Sequence, residues 1–292
     1  MNSFCIKTNN KKMINYLLDR FNKSDIDVYI SNLHFKIYEN VIVHYKGTDV
    51  VKYHNLLCDV IADCILKFYE DGLLKEIINS NYFYFSEPEK RLIFDNCTSH
   101  LEQENTESNV RKEHLYVAIL KYITEKNSVI LDGFVNFRIK DYSKILDYVV
   151  DLSVNKFLIE KEYSEFISLL KMYVDSKNST VDQLHLIYYN NESIIIDDEK
   201  NIISTDDNIF NAKYLCDISF SSNDYALNTL LTIIPQKIII HVLDQEDDFI
   251  HTLKLIFSDR IHICQDCSIC NNYKFVTNSY IRTDTRPAPT TK

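Results

Sequence analysis

Near the end of the chain, the stretch HICQDCSIC at 262–270 sets three cysteines at two-residue spacing behind a histidine. In a C-x-x-C turn both sulfurs can point to one side, at the separation a single tetrahedral ion requires. Cys264, Cys267 and Cys270 make two overlapping turns of this kind, so three thiolates could converge. A closed structural site needs a fourth ligand. His262 is nearest, and it shares a face with Cys264 if the strand continues; Cys216 or Cys5 could instead arrive through the fold. Zinc is the first candidate ion. The iron–sulfur run C-x2-C-x2-C-x3-C-P is left incomplete, because Lys274 stands where its fourth cysteine belongs and no Pro follows. A thioredoxin-like role wants one C-x-x-C opening a helix beside a strand, which three thiols fit poorly. The bland alternative is a set of reduced thiols with no ligand.

Other constellations are weaker. His54 and Cys58 stand four apart on an expected helix and so share a face, but Leu56, Leu57, Ile61 and Cys64 around them read as helix core. Glu160, Glu162, Asp175 and Asp132 could pair as acid and base, yet a solvated acidic face is the default reading. DQEDD at 244–248 lacks the glycine turn and distal Glu of a calcium loop, and reads as negative charge favouring a helix start. Arg138 and Lys140 interleave with Phe134, Phe137 and Tyr142 as in single-strand nucleic-acid binders. The helical spacing of those aromatics points them at a core instead. No residue is assigned a catalytic role.

The elements that must hold these residues follow from periodicity. Residues 1–46 predict a βαββ unit that packs on its neighbour: SFCIKT, then Met13, Ile14, Leu17, Leu18 and Phe21 at helical spacing, then two alternating strands. Residues 47–176 predict a helical domain of five to seven helices, with a break near Gly72 and a capping box from Ser86 to Glu89. The polar stretch 102–113 reads as an exposed loop or the solvated start of a helix. DSKNSTVD at 175–182 marks the boundary to an α/β module at 177–273. There LHLIYY and SIIID form a hairpin around Asn190 and Asn191. SSNDYALNTLLTII is a capped helix, KIIIHVL a buried strand, DDFIHTLKLIF an amphipathic helix and RIHIC a short strand parallel to KIIIHVL. Residues 274–292 read as a disordered tail. The fold class expected is mixed α+β, ending in a cysteine knuckle.

Composition narrows the function. A net charge of -10 and a pI near 5.4 argue against a protein that coats nucleic acid. Only three glycines, Gly47, Gly72 and Gly133, leave no phosphate-cradling loop or nucleophile elbow to be written, so no nucleotide is expected. No apolar run approaches the roughly 18 residues of a membrane span. Eight cysteines behind a start that lacks a signal peptide imply a reducing, cytoplasmic setting.

LDGFVNFRIKDYSKILDYVVD and FLIEKEYSEFISLLKMYVD, with PQKIIIHVL, FIHTLKLIFSDRIHIC and the cysteine run, resemble the YtxC-like sporulation proteins of endospore-forming Firmicutes. The resemblance covers roughly 1–273 and is most specific at 130–175 and 235–270. It implies a link to sporulation and the cytoplasm, and no reaction. The expectation is a non-enzymatic accessory or interaction protein with protein partners and a metal-capable C-terminus. The rivals are a metal- or thiol-dependent enzyme using the same cysteines and a nucleic-acid-binding regulator.

Overall fold

The computed structural model describes residues 2–35, 37–103, 105–203, 221–264 and 266–271. The chain forms two compact units, Met1–Glu160 and Lys161–Lys292. Both mix helices with a four-stranded sheet, and the fold class is α+β.

In the first unit, strand β1 (Asn2–Thr8) is followed by helix α1 (Lys11–Asn22), β2 (Val28–Phe35) and β3 (Tyr38–Tyr45). Asn10 caps α1 by accepting the Lys12 and Met13 N–H groups. Met13, Ile14, Leu17 and Phe21 then fall on one buried stripe. Six helices follow: α2 (Val50–Phe68), α3 (Glu70–Asn81), α4 (Glu87–Gln103), α5 (Asn105–Glu125), α6 (Leu131–Arg138) and α7 (Lys140–Ser176). The break after α2 falls at Tyr69, three residues ahead of Gly72, which sits inside α3. At the start of α4 the Ser86 N–H and Oγ both donate to Glu89 Oε2 at 2.8 Å, which gives the Glu89 side-chain half of the expected capping box. Of the polar stretch at 102–113, residues 102–103 close α4 and residues 105–113 open α5, so it is the start of a helix rather than a long loop.

Between α5 and α6 lies β4 (Ser128–Ile130), too short to show a period in the sequence. It pairs parallel with β1 and completes a sheet of order β2-β3-β1-β4. Phe4 and Ile6 of β1, Val41 and Val43 of β3, and Leu57, Ile61 and Ile65 of α2 share one apolar core. The first 46 residues therefore have no core of their own.

In the second unit, β5 (Gln183–Tyr189) and β6 (Glu192–Ile196) form the hairpin that Asn190 and Asn191 predict. Both asparagines adopt positive φ, 49° and 60°, as a two-residue turn of matching twist demands. Helix α8 (Ser222–Ile233) starts at a full capping box between Ser221 and Asp224. Strand β7 (Lys237–Val242), helix α9 (Asp248–Phe257) and strand β8 (Ile261–Ile263) follow, giving the order β6-β5-β7-β8. Asp247, from the acidic run at 244–248, caps α9 through the Phe249 and Ile250 N–H groups. The sequence puts the boundary of this unit at 175–182, whereas the division falls at 160/161, inside α7. The reason is packing: Ile167 and Val174 of α7 are buried in the same core as Leu184, Leu186, Ile238 and Ile240. Ala226 and Leu230 of α8 and Ile250, Leu253 and Ile256 of α9 complete that core. Helices thus cover one face of this sheet, and by alternation His185, Ile187, Ile239 and His241 point to the other. Cys216 and the tail from 272 onward lie outside the described residues.

Candidate metal centre

A strand run such as KIIIHVL is apolar enough to be buried on both faces, and one histidine inside it must find a partner or pay for desolvation. The register supplies the partner. Strands β7 and β8 run parallel with Ile238 opposite Ile261, Ile239 opposite His262 and Ile240 opposite Ile263. The ladder extends one step further, because the Cys264 N–H donates to the Ile240 carbonyl at 2.8 Å. That step sets Cys264 beside His241 on the face away from the helices. The chain then turns, and a short helical segment at 268–271 brings Cys267 and Cys270 back over the same spot.

His241, Cys264, Cys267 and Cys270 form a group that could hold a metal ion, with all four ligand atoms within 4.8 Å of one another. The Cys267–Cys270 and Cys270–Cys264 sulfur separations are both 3.7 Å. His241 Nδ1 stands 3.3 Å from the Cys270 sulfur and 3.5 Å from that of Cys267. His241 and Cys270 are 1% and 3% exposed, while Cys264 and Cys267 are half-buried.

Protonation states follow from the surroundings. Burial, and then the neighbouring His185, pushes the His241 imidazole down to about 4, so it is the neutral, ligand-competent form at neutral pH. Burial and the adjacent thiols push Cys264 up to about 12. Burial, and then the neighbouring Cys267 thiol, also raises Cys270. For Cys267 burial works in the same direction, but the N–H groups of Cys270 and Ile269 and the two other thiols outweigh it and bring Cys267 below its ordinary value. Among the three thiols, Cys267 is the one that gives up its proton first.

The three cysteines read from spacing thus lie together, and His241 lies with them. His262 does not: it is exposed on β8 and pairs with Ile239, two residues behind the Cys264 position. It is on the right face, but one pleat period, about 6.6 Å, too far back. His241 escapes a local reading because its place beside Cys264 depends on pairing between strands separated by a whole helix. Cys5 sits on β1 in the other unit, near Asn40 Oδ1 at 3.6 Å.

The weaker constellations take structural positions. Cys58 is fully buried and its thiol is pushed up to about 12 by burial and Asp59, the reverse of an activated nucleophile. Asp132 accepts from the Tyr69 hydroxyl at 2.6 Å, and Glu160 stands 3.9 Å from Lys156. Glu162 and Asp175 are exposed on α7. Phe134 and Tyr142 are buried, while Phe137 is exposed. Arg138 lines a cavity of about 650 Å³ in which Lys121 and His114 are matched by Glu113, Glu125 and Asp141. That lining is mixed in charge rather than the basic face a nucleic acid requires. Among the described residues no helix is long and apolar enough to cross a membrane.

Comparison with known proteins places the chain by class. The YtxC-like family model matches residues 55–262, and the chain belongs to that family. The matched region holds His185, Asp198 and His241 and ends two residues before Cys264. Among individual proteins it is similar to the uncharacterized protein YtxC of Bacillus subtilis (strain 168), at 19% identity over 214 residues, 70% of this chain and 74% of that protein. No solved structure matches it.

Proposed function

We propose that the chain is an accessory or interaction protein of the sporulating cell whose C-terminal unit is closed by a structural zinc ion. His241 Nδ1, Cys264, Cys267 and Cys270 would be its ligands. The observation that carries this reading is the spacing of the four ligand atoms. A tetrahedral zinc with ordinary Zn–S and Zn–N lengths has edges of about 3.8 Å between sulfurs and about 3.6 Å between sulfur and nitrogen. The separations of 3.7 Å and of 3.3–3.5 Å fall on those edges. A [4Fe–4S] cluster would put each thiolate on a different iron, and a [2Fe–2S] cluster would split its four ligands between two irons, so a close group of three sulfurs and one nitrogen favours a single metal. Four protein ligands leave no position for a substrate, which favours a structural role over catalysis.

The link to sporulation and to the cytoplasm rests on the family resemblance. A role in binding other proteins is supported by strand β2, where Tyr29, Leu33 and Phe35 share one face and are 67%, 57% and 65% exposed. Elemental analysis of anaerobically purified full-length protein tests the metal. About one zinc per chain, lost in Cys267→Ser and Cys270→Ser, is the expected result. Protein that binds no zinc on reconstitution, with those variants as stable as the wild type, would sink the reading.

A further inference from the structure

Behind the four ligand atoms runs a line of polar side chains that zinc binding by itself does not require. His185 on β5 lies on the same face as His241 on β7, offset by two residues, since His185 pairs with Ile239 and Ile187 with His241. The two rings are 5.2 Å apart and only 19° from parallel. His185 Nδ1 stands 2.9 Å from His241 Nε2. On its far side, His185 Nε2 stands 3.1 Å from Asp198 Oδ1. Gln183 Nε2 donates to the same carboxylate oxygen at 2.8 Å and lies 3.3 Å from His185 Nε2.

We infer that His185, backed by Asp198, is a positioning residue that fixes the tautomer and orientation of His241, so that Nδ1 is the atom offered to the metal. The inference rests on the reading of His241 and the three cysteines as a metal centre. The argument is one of matching donors to acceptors. Asp198 can only accept, so the proton it faces sits on His185 Nε2. With the Nε2 proton facing Asp198, His185 Nδ1 is the atom that accepts a hydrogen bond from His241 Nε2 at 2.9 Å. His241 Nδ1 is left as a bare lone pair pointing at Cys267 and Cys270. Reversing the line would protonate the very nitrogen that faces the sulfurs and leave the His185 lone pair against a carboxylate. Turning either ring over would replace both of its facing nitrogens with carbons. The direction set by Asp198 is the one that presents a ligand, with Gln183 Nε2 donating to the carboxylate and not to the ring. Partners behind a metal-bound histidine ordinarily act in this way, and removing them costs about 10- to 100-fold in metal affinity.

Asp198 is 60% exposed at its side chain, whereas His185 is 13% exposed, so the two should differ in weight. The test is competition between the full-length protein and a chromophoric chelator for zinc, run with cobalt substitution as a spectroscopic reporter. His185→Phe should weaken zinc binding about 10- to 100-fold and shift the cobalt d–d bands. His185→Asn keeps an acceptor where Nδ1 stood and should bind within about threefold of wild type; Asp198→Asn should lose no more than that. In zinc-loaded wild type, long-range ¹H–¹⁵N NMR should find the His241 proton on Nε2. Wild-type affinity in His185→Phe with an unchanged cobalt spectrum, or coordination through His241 Nε2, overturns the inference while leaving the metal centre standing. Wild type that binds neither ion overturns both.

Discussion

Cys58, Cys64 and Cys97 in the first unit and Cys264, Cys267 and Cys270 in the second are the same side chain in opposite settings. The first three are fully buried in a core of Leu57, Ile61, Ile65 and Ile93, and burial raises all three thiols. They pack as small apolar groups, as free cysteine commonly does, with the Ser153 side chain hydrogen-bonded at the Cys97 sulfur. The second three stand at the end of a strand, their sulfurs within 4.8 Å of one another and of the ring nitrogen of a buried imidazole. Burial alone therefore does not separate structural from ligand-like thiols: Cys270 is 3% exposed and Cys58 is 0% exposed. Convergence does.

The comparison can be broken most strongly by withholding the proposed metal. With free zinc at about 1,000 times the dissociation constant, chelation should cost the C-terminal unit about 4 kcal/mol while leaving the N-terminal unit untouched. Scanning calorimetry with and without chelator, read as two transitions, checks this; equal shifts in both would contradict it. A smaller effect is expected from Cys58→Ser, which replaces a buried thiol with a hydroxyl that lacks a partner. It should destabilise the first unit by about 1–3 kcal/mol and leave zinc stoichiometry at the wild-type value, as denaturant titration and elemental analysis would show.

Alkaline pH sharpens the contrast further. Cys58 and Cys64 are raised from 9.0 to about 12 in the folded state, so the fold favours their protonated form. That contribution is full below pH 9 and is lost as pH rises through about 12. Each thiol should cost the first unit about 1 kcal/mol between pH 9 and 10, and Cys58→Ala with Cys64→Ala should flatten the slope. The smallest effect is one of order rather than energy. In chelated protein at mild alkaline pH, a thiol reagent followed by peptide mapping should label Cys267 first and leave Cys58 and Cys64 unmodified. Early labelling of Cys58 would erase the distinction.

Much of this was legible in local sequence. Asn190 and Asn191 announce a hairpin because few other residues tolerate two successive positive φ angles. Ser86, Ser221 and Asp247 announce helix starts because an N-cap needs a short acceptor side chain. What local pattern could not show was set by long-range pairing. Strand β4 is three residues long, and only its parallel contact with β1 makes it a strand. The end of the second core lies inside α7 because Ile167 and Val174 are chosen by a sheet that comes later in the chain. The candidate site divides the same way. Three cysteines are visible as spacing, but His241 becomes a neighbour of Cys264 only through the β7–β8 register, and His262, the nearer residue in sequence, lies outside that group in space.

The brevity of β8 has a further consequence for the life of the protein in the cell. Three residues make a weak hold, yet they are what shields the long side of β7, whose Ile238, Ile239 and Ile240 make an apolar, β-branched row. If the knuckle opens, β8 is free to peel, and β7 becomes an unguarded template for pairing with other chains. If the proposed zinc holds the knuckle shut, its scarcity is expected to show first as self-association, with turbidity or sedimentation reporting it before any loss of helix in the first unit.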